Sequence, residues 1–461
     1  MNDVNDANKG RWWLLAQLCL PTLSILLSTN IVMVALVPIA QAFPDIPNIG
    51  EWTLLIYSIT AASLSIPAGD LGDRFGLRRI YGIALLMFLM GAIGAALAAT
   101  GPLLIGFRML SGMGAAVLAP VALAYLTRLF QGEEKPIAFG YWAASVTIGT
   151  VAGPILGGWI QTVASWRFTF PMAAMPALLA LLLLHRLPAF RPDQPMPPFD
   201  WRGMAGLVTL PFLSLFTLTM AGRLSPATVL ILMAAIVSLF LWTWHHLRVG
   251  AHPVIDVDRL HQVSWWRPSL LQLIIRCLFM AMLVLLTGYF HSIKGLSALE
   301  ASQSLLPFLI AVGVMSLSSG YLCRAIGVRR MLVGVFGLAF VGVVILLSVG
   351  ADGFRWIDWL AITAIGLLAG NTSQLSRLAL ANFPPQESMR GASLNTLVIN
   401  LGLSLGAAYP SLVRSIMAHN IRLGDVIPKD ELLSIMHEEL MVMVLLFSIG
   451  IWQASRLKVA Q

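Results

Sequence analysis

The residues that could do chemistry in this chain are few, and they stand in short clusters between long apolar runs. The first cluster is Gly69-Asp70-Leu71-Gly72-Asp73-Arg74-Phe75-Gly76-Leu77-Arg78-Arg79. It returns, weakened, 251 positions later as Gly320-Tyr321-Leu322-Cys323-Arg324-Ala325-Ile326-Gly327-Val328-Arg329-Arg330. Gly69/Gly320, Leu71/Leu322, Gly76/Gly327, Arg78/Arg329 and Arg79/Arg330 share that one offset. Gly69 and Gly76 permit tight turns and close helix approach. Asp73 stands where a carboxylate can meet a helix N-terminus or a nearby arginine; in the second copy Arg324 replaces this acid.

The second cluster is Gly149-Thr150-Val151-Ala152-Gly153-Pro154-Ile155-Leu156-Gly157-Gly158. Gly149, Gly153 and Gly157 fall four apart, on one helix face suited to close packing against another helix. Pro154 removes a backbone hydrogen bond and favours a bend. A third candidate is Arg108, in Leu104-x-x-x-Arg108-x-x-x-Gly112-x-Gly114-Ala115-Ala116, about two turns into an apolar run. A charge at that depth is a functional candidate; the competing reading is an arginine that snorkels to the outer surface.

The elements that must hold these residues are membrane spans. Of 461 residues, 58% are hydrophobic and 11% charged, against about 25% charged in an ordinary soluble domain. Too little charge remains to cover a water-facing surface. Fourteen apolar segments are expected, near 14–40, 51–71, 79–100, 102–130, 136–162, 168–187, 203–221, 226–247, 268–290, 300–323, 329–350, 356–381, 390–417 and 439–457. The first is too long for a signal-peptide core and reads as a retained helix. The net charge of +8 would suggest nucleic acid in a soluble protein, but topology explains it here. With the N-terminus inside, 19 of the 29 lysines and arginines fall on the cytoplasmic side and 7 outside. The remaining three are Arg108, Arg276 and Arg377, within segments. This bias places both termini in the cytoplasm. Cys19, Cys277 and Cys323 have spacings that suit neither a disulfide framework nor a metal site, and nothing calls for a cofactor.

The domain reading is a six-helix bundle over 1–187, a Pro-rich cytoplasmic linker over 188–202, an inserted helix pair over 203–247 and a second six-helix bundle over 248–461. A motif repeated once in each half points to a transporter built from two related bundles. No HExxH, GxSxG or paired intramembrane carboxylates support an enzyme. Glu51, Asp70 and Glu300 sit at segment ends, and no Asp or Glu is expected in the middle of any segment. What stands at depth is Asn30, Arg108, Arg276, Asn371, Gln374, Arg377, Asn395 and Asn400. Arg276 lies about 12 Å into its segment at 1.5 Å per residue. Asn371 and Asn400 fall near the midplane, where such transporters bind substrate. An acid-free path with arginines suits an anion or a neutral polar molecule. Taken singly, each Asn or Gln reads more readily as interhelical glue.

The repeated cluster resembles the loop signature of the major facilitator superfamily, glycine-x-leucine-x-aspartate-x-x-glycine-x-basic-basic. That resemblance implies a cytoplasmic latch formed by Gly69, Leu71, Asp73, Arg74, Gly76, Arg78 and Arg79, with a weaker second copy. The Gly149–Gly158 run resembles the antiporter signature of exporter branches, and the Arg108 run resembles the fourth-helix signature whose arginine takes part in proton coupling. Trp52-Thr53 with Tyr57, Trp166-Arg167-Phe168, His252-Pro253-Val254-Ile255-Asp256, and Arg390-Gly391-Ala392-Ser393 with Gly402 and Gly406 resemble the fourteen-helix drug:proton antiporter branch. That branch carries an aspartate in helix 1; here Leu27-Ser28-Thr29-Asn30-Ile31 places Ser28 there. The resemblance implies export of a small drug-like or metabolite molecule across a bacterial inner membrane, with protons as coupling ion. Members of the branch sometimes work with a periplasmic adaptor. Two alternatives stay open: an exporter of an anionic or neutral polar metabolite such as a siderophore, and a membrane sensor or assembly partner that has lost transport.

Overall fold

The computed structural model describes residues 2–46, 49–190, 198–220, 225–250, 261–296, 300, 303–350, 353–384, 387–417 and 429–457. The His252–Asp256 run lies outside the described residues. The chain divides into two units by proximity. Unit 1 is Met1–Ala138, Ile148–Gln262 and Leu380–Leu397; unit 2 is Phe139–Thr147, Val263–Ala379 and Val398–Gln461.

Unit 1 holds α1 (Asn2–Ala42), α2 (Ile49–Ser63), α3 (Ser65–Phe75), α4 (Leu77–Leu97), α5 (Gly101–Leu129), most of α6 (Glu134–Val163), α7 (Thr169–Leu182), α8 (Trp201–Met220) and α9 (Pro226–Val249). Its core is aromatic and aliphatic, with Tyr57, Tyr81, Phe88, Tyr125 and Phe170 all but sealed from solvent. α9 instead exposes Leu230, Ile231, Val237 and Leu241, an apolar face of the kind that meets lipid.

Unit 2 holds α10 (Val263–Gly288), a π-helical turn (Tyr289–Ile293), α11 (Leu306–Ile326), α12 (Val328–Leu346), α13 (Trp356–Ala369), α14 (Thr372–Leu380) and α16 (Lys429–Ser455). α15 (Ser388–Met417) begins among the unit 1 residues and continues into unit 2. Among the described residues nine helices are long and apolar enough to cross a membrane, or ten if α2 and α3, bent by 49°, form one span. Helix also fills the other expected stretches, in α7, α8, the broken α13–α14 pair and α15.

Two boundaries differ from expectation in ways that matter for function. The sequence suggests a loop over Gly69–Arg79, yet helix runs to Phe75 and restarts at Leu77. Asp70 and Arg74, four apart, pair along α3 and sustain the helix. Gly76 alone makes the turn, at φ +90° and ψ 135°. The second copy is built the same way: α11 ends at Ile326, Gly327 sits at φ +82° and ψ 147°, and α12 starts at Val328. Only glycine adopts that backbone without strain. The last segment, expected over 439–457, starts ten residues earlier as α16, because the polar stretch Lys429–Glu438 continues the helix. Glu439 therefore lies inside a helix while still standing at the head of its apolar run.

Candidate functional site

The Gly69–Arg79 cluster gathers its charges against the start of α15. The Asp73 carboxylate is buried and accepts hydrogen bonds from the backbone N–H groups of Met389 (3.2 Å) and Arg390 (3.0 Å). It occupies the positive end of α15 as an anionic cap. Arg128 at the end of α5 adds an ion pair at 3.4 Å, and its Nε donates to Ser388 Oγ at 2.7 Å. Asp70, likewise buried, accepts from Arg74 of its own helix and from Arg390, whose Nε lies 3.0 Å away. Two carboxylates thus bind three guanidiniums and one helix terminus. Asp70 and Arg390 are equal members of this cluster that sequence reasoning left out. The i,i+4 spacing of Asp70 and Arg74 was the available signal.

Glycines allow the approach. A Cβ on Gly69 would stand 2.5 Å from Ser393 Oγ, and one on Gly72 would stand 2.6 Å from Met389 Cγ. Leu71 is half-buried, Arg78 half-buried and Arg79 exposed. The linker end is tied to the same region. Tyr125 donates to the Pro188 carbonyl (2.9 Å), Arg74 donates to the Pro198 carbonyl (3.3 Å), and Arg128 lies over the Phe190 ring. In the second copy Gly320 is buried, while Arg324, Gly327, Arg329 and Arg330 are exposed. The backbone turn is repeated there, and the buried carboxylates are not.

The Gly149–Gly158 face packs on α1. Added Cβ atoms on Gly149, Gly153 and Gly157 would meet Leu26 Cβ at 2.7 Å, Asn30 Cβ at 2.4 Å and the Ile31 carbonyl at 3.0 Å. Gly158 faces open space, and Pro154 lies within α6. Asn30 spends its amide on its own helix, donating to the Leu26 carbonyl at 2.8 Å. Unit 2 repeats this device, with Gly402 and Gly406 of α15 set against Arg276 Cβ and the Cys277 carbonyl of α10.

Arg108 does not snorkel. It is 1% exposed. Its Nη1 donates to Ser28 Oγ at 2.9 Å and its Nε to the Thr53 carbonyl at 2.9 Å. The guanidinium lies 4.3 Å from the Tyr57 ring centroid and 5.6 Å from that of Phe170, within range of cation–π attraction. Nη2 has no hydrogen-bond partner among the described residues. The Trp52-Thr53 and Tyr57 motif is thus the cradle of this arginine, and Ser28 faces it.

In unit 2, Arg276 reaches the break between α13 and α14, where its Nη2 donates to Thr372 Oγ1 at 2.8 Å. One turn before it, Gln272 donates to Ser376 Oγ at 2.9 Å. Gln374 donates to Ser319 Oγ at 3.1 Å, and Asn371 folds back on the Leu367 carbonyl at 2.9 Å. Arg276 Nε and Gln272 Oε1 have no partner among the described residues. Asn400 is half-buried on α15. The structure therefore joins Arg276 to the α14 start, ties Gln374 to α11, and turns Asn371 back onto the end of α13. Among the described residues no group of three His, Cys, Asp or Glu side chains could hold a metal ion.

These features belong to a known family. The Major Facilitator Superfamily model matches residues 18–407. Among curated relatives, the drug efflux pump JefA of Mycobacterium tuberculosis is 26% identical over 395 residues, covering 84% of this chain and 77% of that protein. The multidrug resistance protein B homolog of the same organism is 28% identical over 412 residues, covering 83% and 72%. The methyl viologen resistance protein SmvA of Salmonella typhimurium is 26% identical over 425 residues, covering 88% and 83%. Among solved structures, the human organic anion transporter MFSD10 (TETRAN) superposes with a TM-score of 0.67 at 12% identity, covering 95% of this chain and 99% of that one. The proton:xylose symporter XylE gives 0.61 at 16% identity, covering 94% and 93%. At those identities the likeness is one of fold. The chain belongs to the Major Facilitator Superfamily, and is a multi-pass membrane transporter rather than an enzyme.

Proposed function

We propose that this chain is a secondary transporter of the fourteen-span drug:proton antiporter type, exporting a small organic compound across a bacterial inner membrane by alternating access. The observation that carries this reading is the buried cluster of Asp70, Asp73, Arg74, Arg128 and Arg390 at the head of α15. Ion pairs that close a glycine-lined helix contact form a two-state latch: they hold one conformation and must part for the other. The Gly149–Gly157 face on α1 supports export, since its pattern is that of exporters, and so do the relatives named as efflux and resistance proteins. In this reading Gly69–Arg79 gates the cytoplasmic side, Gly320–Arg330 is a weaker partner, both termini are cytoplasmic, and protons enter as substrate leaves.

The test uses everted vesicles with an acid interior and a pH-sensitive dye. Methyl viologen, ethidium and 1-naphthoate are added in turn. Collapse of the gradient by any of them, lost in Asp73→Asn and in Gly153→Leu with the protein still in the membrane, is the expected result. Retained transport in both variants overturns the mechanism.

A second reading, export of an anion or a neutral polar metabolite, is favoured by one observation. Among the described residues Arg108 and Arg276 each keep an N–H donor with no partner, and the partners found for them are two hydroxyls and a carbonyl. Under this reading Arg276→Gln stops 1-naphthoate and spares methyl viologen.

A further inference from the structure

One buried carboxylate at the head of an apolar run has no motif to account for it. Glu439 is 1% exposed and stands where α16 passes from the polar turns Lys429–Glu438 into the apolar run that begins at Leu440. Its chain neighbours behave differently: Glu431 is exposed, and His437 and Glu438 are half-buried. An ionisable side chain buried in a membrane span marks an ion path by default.

Its surroundings are built for more than packing. Glu439 lines a small cavity with Leu285 and Gly288 of α10, Tyr289 and Ile293 of the π-helical turn, and Met436 of its own helix. Such a turn is uncommon and recurs at functional sites. The Tyr409 hydroxyl of α15 donates to the Glu439 backbone carbonyl, pinning α16 at this residue. Tyr289 donates to the Gly350 carbonyl and His437 contacts the Val349 carbonyl, each at 2.9 Å, so both grip the α12–α13 connection. Phe354 of that connection packs on Tyr289 (5.1 Å) and Phe290 (5.2 Å), and Trp359 stacks on Phe290. The titratable groups in the sequence of the elements around α16 are Arg267, Arg276 and Cys277 of α10, Tyr289 and His291 of the π turn, and Arg390, Tyr409 and Arg414 of α15, with Lys429, Asp430, Glu431, His437 and Glu438 on α16 itself. Arg329 and Arg330 of α12 are exposed.

We infer that Glu439 is the proton-carrying group of this transporter, taking the part of the helix 1 acid that Ser28 replaces. The inference rests on the proton-coupled reading above. The step is one protonation and its reversal: a carboxylate oxygen gains a proton from the outer side as substrate leaves there, and loses it to the cytoplasm as the next substrate binds. No other bond forms or breaks; one proton in against one compound out is electroneutral for ethidium, a monocation, and moves net charge for methyl viologen, a dication, and for 1-naphthoate, an anion.

The experiment uses the full chain in proteoliposomes with an acid interior, with methyl viologen, ethidium and 1-naphthoate as probes. In Glu439→Gln, gradient collapse by a probe that the wild type transports should slow about tenfold or more, while exchange of that probe at equal pH on both sides persists. Glu439→Asp should keep part of the coupling. Collapse at the wild-type rate in Glu439→Gln overturns the proposal, as does loss of collapse and exchange together. Failure of the antiport reading looks different: the wild type then exchanges a probe and leaves the gradient untouched. Infrared difference spectra between acid and alkaline pH decide the site in either case. A titrating carboxyl band that disappears in Glu439→Gln supports it, and an unchanged spectrum overturns it.

Discussion

Arg108 Nη1 donates to Ser28 Oγ across 2.9 Å, so the α1 position where the antiporter branch that the sequence resembles carries an aspartate looks straight at the arginine of α5. A serine there satisfies one donor, and among the described residues no carboxylate pairs with the charge. Ser28→Asp would place a carboxylate on that donor and form a buried ion pair. We expect the variant to raise resistance to methyl viologen relative to the wild type. Ser28→Ala would leave a buried guanidinium donor unfilled, at a cost of about 1–3 kcal/mol. Growth on methyl viologen checks the first change and thermal unfolding in detergent checks the second.

Asp73 and Asp70 should fail in different ways. Asp73 caps α15 through two backbone N–H groups, and Asp73→Asn keeps the shape while removing the charge that the helix terminus and Arg128 bind. Efflux should fall about tenfold or more, with the protein still inserted. Asp70→Asn takes the carboxylate from Arg74 and Arg390, each 15% exposed. Its cost should fall below the ~3–5 kcal/mol of breaking a fully buried pair. Efflux assays and unfolding temperatures, measured on both variants, separate the two.

Two positions of α6 offer an internal control. Gly153→Leu must displace the Asn30 backbone of α1, since even a Cβ would stand 2.4 Å from Asn30 Cβ. Gly158→Ala meets open space and gains helix propensity of about 0.5–1 kcal/mol. The first should abolish transport, and the second should leave it intact with an unchanged or higher unfolding temperature. Equal effects of the two would show that packing on α1 is not what the glycines provide.

The two turn glycines give a matched pair. Gly76→Ala and Gly327→Ala both force alanine into a left-handed backbone at φ +90° and +82°, a strain of about 1–3 kcal/mol. At Gly76 the new methyl also meets the Phe190 carbonyl at 3.0 Å, whereas Gly327 has nothing within 4 Å. Unfolding temperatures should fall in both variants, and further in Gly76→Ala.

Most of the fold was legible because spans are written in composition: about twenty apolar residues in a row leave the backbone no alternative to helix. The 251-residue repeat also foretold a shared device, and Gly76 and Gly327 adopt nearly the same backbone angles. The candidate site was legible in part. Asp73 could be singled out, but Arg390 lies 317 residues away, and no spacing rule reaches that far. Glu439 was hidden for another reason. A hydropathy boundary drawn at the last charged residue places it at a segment end, whereas the helix continues ten residues before it. Asp70 was set aside on the same ground, and it too is buried.

The burial of Arg108 has a consequence outside pairwise contacts. A guanidinium fixed at 1% exposure in α5, with a hydroxyl, a carbonyl and two rings as its partners, carries its charge as part of the helix. The electric field across an energised membrane acts on that charge, at about 2.3 kcal/mol per elementary charge for a full crossing of 100 mV. An aspartate at position 28 would cancel the pull; a serine leaves it. Any rocking of α5 along the membrane normal would therefore carry that charge through the field, so the membrane voltage would bias the stroke.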